Sequence, residues 1–123
     1  MFYRESLNEI SARAHDNAVA KGFYEDIEAL CGNLAYNEMP SLREVAKRDF
    51  VLAQLALVDS EIGETVQAIR RKGIHHDDVA EELADIIIRV CDLAGYLDIN
   101  LGRAVYQKMK INECRPRKHG KLC

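Results

Sequence analysis

The sequence predicts an all-α protein, and three observations carry that prediction. Apolar side chains recur at three- and four-residue spacings along most of the chain, with no convincing strand-type alternation, repeat or low-complexity stretch. Only two prolines and seven glycines interrupt 123 residues, which leaves room for long helices. A composition 48% hydrophobic and 30% charged supplies both faces of amphipathic helices and argues against disorder.

The elements follow in order. A first helix is expected over about residues 4–20, stopping near Gly22, with a short helix around 25–34 before Pro40. A long second helix runs from about 42 or 49 to Lys72, where Gly73 is a favourable residue just past its end. The third starts at Asp78, whose spacing to Glu81 is that of a capping box, and continues to about Leu97. The fourth starts at Asn100, a good N-cap, and must end by Pro116. Residues 1–123 read as a single domain with a basic C-terminal tail at about 113–123.

Composition narrows the setting. No apolar run approaches the ~20 residues needed to cross a bilayer, so no membrane partner is expected. Met1-Phe2-Tyr3-Arg4-Glu5 puts charges where a signal peptide needs an apolar segment, and the expected location is the cytoplasm. Cys31, Cys91, Cys114 and Cys123 form no C-x-x-C pair and read as reduced thiols rather than a zinc site. The net charge of −3 hides an asymmetry, because Lys108, Lys110, Arg115, Arg117, Lys118 and Lys121 face only Glu113 in the last stretch. A solvated tail is the plain explanation; a phosphate clamp is the sharper one.

Two carboxylate pairs carry most of the functional information: Glu61 with Glu64, and Glu82 with Asp85. A spacing of three puts each pair on one helix face, its members about 5–6 Å apart. On the second helix, Leu55, Val58, Ile62, Val66 and Ile69 form the expected core stripe, while Asp59, Ser60, Gly63, Gln67 and Arg70 face water. Glu61 and Glu64 belong to neither set, sharing a line with Leu57 and Ala68. On the third helix Val79, Leu83, Ile86, Val90 and Leu97 make the stripe, Glu81 and Asp92 are expected to point away, and Glu82 and Asp85 lie at its edge with Arg89.

Ordinary ion pairs such as Asp85 with Arg89 would explain either acid pair alone. Both pairs together, each displaced from the solvent face, point to a cation: if the two helices pack antiparallel, four acids meet, and such a cluster needs neutralising. Oxygen ligands suit Mg²⁺ or Mn²⁺, which also bind phosphate oxygens. A di-iron bundle site would need E-x-x-H, which neither pair has. On the fourth helix Lys108, Asn112 and Arg115 stand at i, i+4 and i+7 on the face of Leu101 and Val105, a face expected to turn inward and suited to phosphate.

The stretch Leu57-Val58-Asp59-Ser60-Glu61-Ile62-Gly63-Glu64, then Glu81-Glu82-Leu83-Ala84-Asp85, then Lys108, Asn112 and Arg115-Pro116, closely resembles the MazG-like all-α nucleoside triphosphate pyrophosphohydrolases. His15 through Gly22-Phe23-Tyr24 also looks like members with a G-F-aromatic element, with Tyr24 where Trp is more usual. The resemblance implies an antiparallel helical bundle with a four-helix core, completed by homodimerisation or homotetramerisation. It implies hydrolysis of a (deoxy)nucleoside triphosphate between the α and β phosphates, giving monophosphate and pyrophosphate. By that analogy Glu61, Glu64, Glu82 and Asp85 hold Mg²⁺ as the catalytic cluster, and Lys108, Asn112 and Arg115 bind the triphosphate with Arg89 nearby. Phe23 and Tyr24 would then serve the base by stacking, although aromatics in such positions are commonly plain core.

Other classes compete. His15-Asp16 and His76-Asp77 spell the HD pair of another phosphohydrolase type, without its further ligands. A non-catalytic nucleotide-binding or interaction bundle would keep the acid cluster and release no product. A nucleic-acid binder acting through the tail is not the expected reading and would betray itself by steep salt dependence.

Overall fold

The computed structural model describes residues 2–75 and 77–120. His76 of the second His-Asp pair, Lys121 of the basic tail and Cys123 lie outside the described residues. The described chain is all-helical: α1 (Phe2–Ala20), α2 (Glu25–Tyr36), α3 (Pro40–Lys72), α4 (Asp78–Tyr96) and α5 (Leu101–Glu113), followed by a short 3₁₀ turn at Arg117–Gly120. No described helix is long and apolar enough to cross a membrane.

The helix ends follow local chemistry. At Gly22, φ is +85°, and Phe23 N–H donates to Ala18 O while Gly22 N–H donates to Val19 O, the paired bonds of a Schellman stop. Glu38 and Asp98, both with φ of 54°, close α2 and α4 through the same pair of bonds without a glycine. The long helix α3 starts earlier than expected, at Pro40, because proline at the first helical position has its φ preset and lacks only an N–H that would go unpaired. Asn100 caps α5 as expected, its side chain accepting from Arg103 N–H at 3.0 Å. The capping box expected at Asp78 and Glu81 does not form. Asp77 holds the N-cap position without a side-chain bond, and the Asp78 carboxylate instead accepts from Lys72 Nζ at 3.2 Å, tying α3 to α4.

Interhelical contacts set the layout. Phe50 against Tyr96, Glu61 with Arg89 and Lys72 with Asp78 run in opposite chain directions, so α3 and α4 are antiparallel. Ser11 with Cys91 and His15 with Asp92 tie α1 to α4, and Asn8 bonds to Asn100 at the start of α5. The remaining principal packings are α5 on α1 and α2 on α3. Ala18, Tyr24, Ile27 and Cys31 form the buried core, with Ala46, Phe50 and Tyr96 packed around it. Tyr24 and Tyr96 stack with centroids 5.0 Å apart, and Phe50 leans on both. Burial raises the hydroxyl pKa of both tyrosines, Tyr24 further through its bond to Asp92. The described cysteines, Cys31, Cys91 and Cys114, are free thiols.

The expected core stripes are corrected here. Leu55, Ile62 and Val66 of α3, Leu83 and Val90 of α4 and Leu97 at its C-cap are exposed, and Val58, Ile69, Val79 and Ile86 only half-buried. The periodicity is real, but among the described residues no element covers that face, and the buried positions of α4 are Cys91, Leu93 and Ala94 beneath α1. The exposed area of 9440 Å² exceeds by about 2,700 Å² what a compact 13.9 kDa monomer presents.

Candidate functional site

The antiparallel register of α3 and α4 brings the two acid pairs to one level. Oxygens of Glu61, Glu64 and Glu82 all lie within 4.8 Å of one another. Two oxygens on one Mg²⁺ sit at most about 4.2 Å apart, twice its bond length, so small side-chain rotations bring the three to a shared ion. Hard carboxylate donors in this number fit Mg²⁺ or Mn²⁺. Glu61 and Glu82 are half-buried and Glu64 exposed, and the buried Thr65 hydroxyl donates to Glu61 O at 2.8 Å within the same turn. Asp85 stands outside this trio and lines the adjoining cavity.

Arg89 is the counter-cation in this structure. Its Nε donates to Glu61 Oε1 at 2.9 Å, across from α4 to α3, instead of pairing with Asp85 along its own helix. With the Arg89 side chain 42% exposed and Glu61 17%, the pair is partly screened and contributes modestly, about 1 kcal/mol or less.

The Glu82 carboxyl is held above its ordinary pKa, first by partial burial and then by the negative charges of Glu61, Glu64, Asp85 and Asp78. The folded state therefore binds this proton more readily than the unfolded state. Ionised Glu82 costs stability progressively as pH rises from its ordinary value of 4.5 through the higher folded value. Glu82→Gln is expected to melt at a higher temperature than the parent at neutral pH without divalent cations, the gap closing below pH 4.5. Thermal denaturation as a function of pH checks this, and a variant that melts no higher at neutral pH removes the repulsion from the account.

Beside the cluster a cavity of about 430 Å³ opens between α1, α3 and α4. Ala14 and Asn17 of α1, Phe23 of the following turn, Gln54, Leu57 and Glu61 of α3, and Asp85, Ile88, Arg89 and Asp92 of α4 line it. The two candidate aromatics separate here. Phe23 is 74% exposed and borders the cavity, whereas Tyr24 is 3% exposed, stacked in the core with its hydroxyl committed to Asp92. Tyr24 is thus a core residue and has no face left for a base.

The basic line on α5 is not brought to the carboxylates within one chain. Lys108 and Arg115 are exposed, only Asn112 of the three is half-buried, and no α5 residue lines the cavity. The reason is topological: the turn after α4 lays α5 against α1. Asn112 Oδ1 is buried with no hydrogen-bond partner among the described residues.

Asp92, expected to point into solvent, instead lines the cavity. Its Oδ1 accepts from Tyr24 Oη at 2.8 Å and lies 3.0 Å from His15 Nδ1. The available signal was its spacing of seven from Asp85, which separates the two by only ~20° around the helix. Asn17 and Gln54 carried no motif signal. Comparison with models of protein families, with curated proteins and with solved structures finds no match for this chain.

Proposed function

We propose that this chain is a MazG-like pyrophosphohydrolase that hydrolyses a (deoxy)nucleoside triphosphate at the bond between the α and β phosphates, a nucleotide-pool housekeeping activity. The main support is the convergence of Glu61, Glu64 and Glu82 on antiparallel α3 and α4, opening onto a cavity bordered by Asp85 and Arg89. Four acids from two helices at one level are unfavourable by themselves, and an arrangement that costs stability needs a ligand to justify it.

In this reading Glu61, Glu64, Glu82 and Asp85 would hold Mg²⁺ or Mn²⁺. Such an ion supplies neutralisation of charge developing on the phosphates and a lower pKa for the attacking water, worth several kcal/mol of barrier. One of the four would serve instead as the base for that water, with Glu64, the most exposed of the trio, the first candidate. The water adds to the α phosphorus as the bond to the bridging oxygen breaks, and pyrophosphate leaves. Arg89, which donates to Glu61 at the cavity edge, carries a guanidinium that would suit a phosphate oxygen.

Homodimerisation or homotetramerisation belongs to the same proposal. The exposed stripes of α3 and α4 and the excess surface are of the size an obligate interface covers. Lys108, Asn112 and Arg115 then reach a triphosphate only where a second copy brings α5 to the cavity mouth. Their absence from the cavity lining within one chain is the observation that favours the second reading, a nucleotide-binding or interaction bundle without turnover.

Incubation with a panel of nucleoside triphosphates and Mg²⁺, with products separated, tests the proposal. Monophosphate plus pyrophosphate is the expected result. Diphosphate plus orthophosphate overturns it, and binding without any product selects the second reading.

A further inference from the structure

Asp92 stands at the end of the cavity away from the carboxylate trio, two helical turns and about 10 Å along α4 from Asp85. Its side chain is only 19% exposed. One oxygen, Oδ1, already takes both the Tyr24 hydroxyl and the His15 ring nitrogen, so Oδ2 is the acceptor left for whatever enters. Tyr24 is rigid in the core aromatic stack, and its hydroxyl keeps its proton because burial and the Asp92 charge both raise its pKa. The carboxylate is therefore held in place from behind. Around it the cavity carries the amide side chains of Asn17 and Gln54 and the exposed ring of Phe23.

Resting on the nucleotide reading above, we propose that this end of the cavity receives the nucleobase and that Asp92 selects bases bearing an amino group on their hydrogen-bonding edge over uracil and thymine. An ionised carboxylate only accepts. Cytosine and adenine offer it an exocyclic amine, and guanine offers a ring N–H beside one. Uracil and thymine present a single N–H flanked by two carbonyl oxygens, and an oxygen set against a largely buried carboxylate leaves both acceptors unpaired. The two-turn separation sorts the ligand along the cavity, base toward Asp92 and phosphates toward Arg89 and the acids. Asn17 and Gln54 both donate and accept, so they hold a base without choosing one, which leaves the choice to Asp92.

The test is a comparison of cytidine, adenosine and guanosine triphosphates with uridine and thymidine triphosphates, by kcat/KM with Mg²⁺ and by displacement of a fluorescent nucleotide without divalent cation. The amino-bearing set is expected to be favoured by about 10- to 100-fold, the worth of one charge-assisted hydrogen bond. Asp92→Asn keeps an oxygen for the Tyr24 hydroxyl and turns an amide N–H₂ toward the cavity, so the ratio is expected to fall at least about tenfold toward uracil and thymine. A purely structural role would lower all five substrates together and leave their ratio unchanged. Equal use of all five by the parent protein overturns the base assignment and leaves hydrolysis standing, as does an Asp92→Asn ratio equal to the parent's. Failure to bind any nucleotide overturns both. The parent's own preference decides the matter if the variant does not fold.

Discussion

Glu61→Gln and Asp85→Asn are each expected to lower cation-dependent turnover by about 10³-fold or more while the protein stays folded. The magnitude follows from removing an anionic group that serves a metal-assisted displacement, where several kcal/mol of barrier are at stake and each 1.36 kcal/mol is tenfold. Retention of the fold follows from the geometry. The amide of Glu61→Gln still offers an oxygen to the Arg89 Nε that Glu61 now holds at 2.9 Å, so the bridge between α3 and α4 persists in weaker form. Either change also removes a negative charge from a crowded group, and the melting temperature is expected to hold or rise. Glu81→Gln is the control, since Glu81 is exposed and neither lines the cavity nor belongs to the trio. Steady-state kinetics with circular dichroism on the three variants separates the outcomes. Equal damage from Glu81→Gln sinks the assignment of faces, and retained activity in Glu61→Gln removes that residue from the site.

The second large effect is on stability, at the crossing of α1 and α4. A Cβ at Gly95 meets His15 Cβ at 2.6 Å and Ser11 O at 3.2 Å. These are atoms on or next to the backbone of α1, and no side-chain rotation clears them. Gly95→Ala must therefore part the two helices, at an overpacking cost of about 1–3 kcal/mol. Alanine returns at most about 1 kcal/mol of helix propensity, so the loss wins. The expected net loss is about 1–2 kcal/mol, a fall of roughly 5 °C in Tm. Parting the helices also stretches the Ser11 hydroxyl bond to Cys91 O and the His15 contact to Asp92, so nucleotide selectivity should weaken with stability. Gly32→Ala, with nothing within 4 Å of an added Cβ, is expected to stabilise instead. If thermal denaturation gives the two substitutions the same sign, the close crossing is not what Gly95 serves.

Local signals were legible where a single residue's chemistry decides the backbone. Gly22, Gly73 and Asn100 end or start helices as their types require. Glu38 and Asp98 take the left-handed conformation at helix ends without any glycine to announce it, which helps explain why the end of α2 was expected early. The Glu61, Glu64 and Glu82 cluster was legible because spacing on two helices combines with one assumption, antiparallel packing, that the contacts from Phe50–Tyr96 to Lys72–Asp78 bear out. Tyr24 takes the core role that aromatics in such positions commonly have, whereas Asp92 departs from its expected place in solvent. Helical phase tells which side chains share a line but not which neighbour that line meets, and α1 covers the side of α4 that was assigned to water.

The sequence by itself determined the helices, their main ends and the two acid pairs, because these depend on contacts within a few residues along one chain direction. The tertiary structure alone decided the rest. It buried Tyr24 against Tyr96, turned Arg89 from its own helix to Glu61, drew Asp92 and His15 together, and kept Lys108 and Arg115 apart from the cavity. Each of these outcomes depends on which helix face meets which. That choice is settled by how whole apolar surfaces are covered, an energy summed over many residues distant in sequence and carried by no single motif.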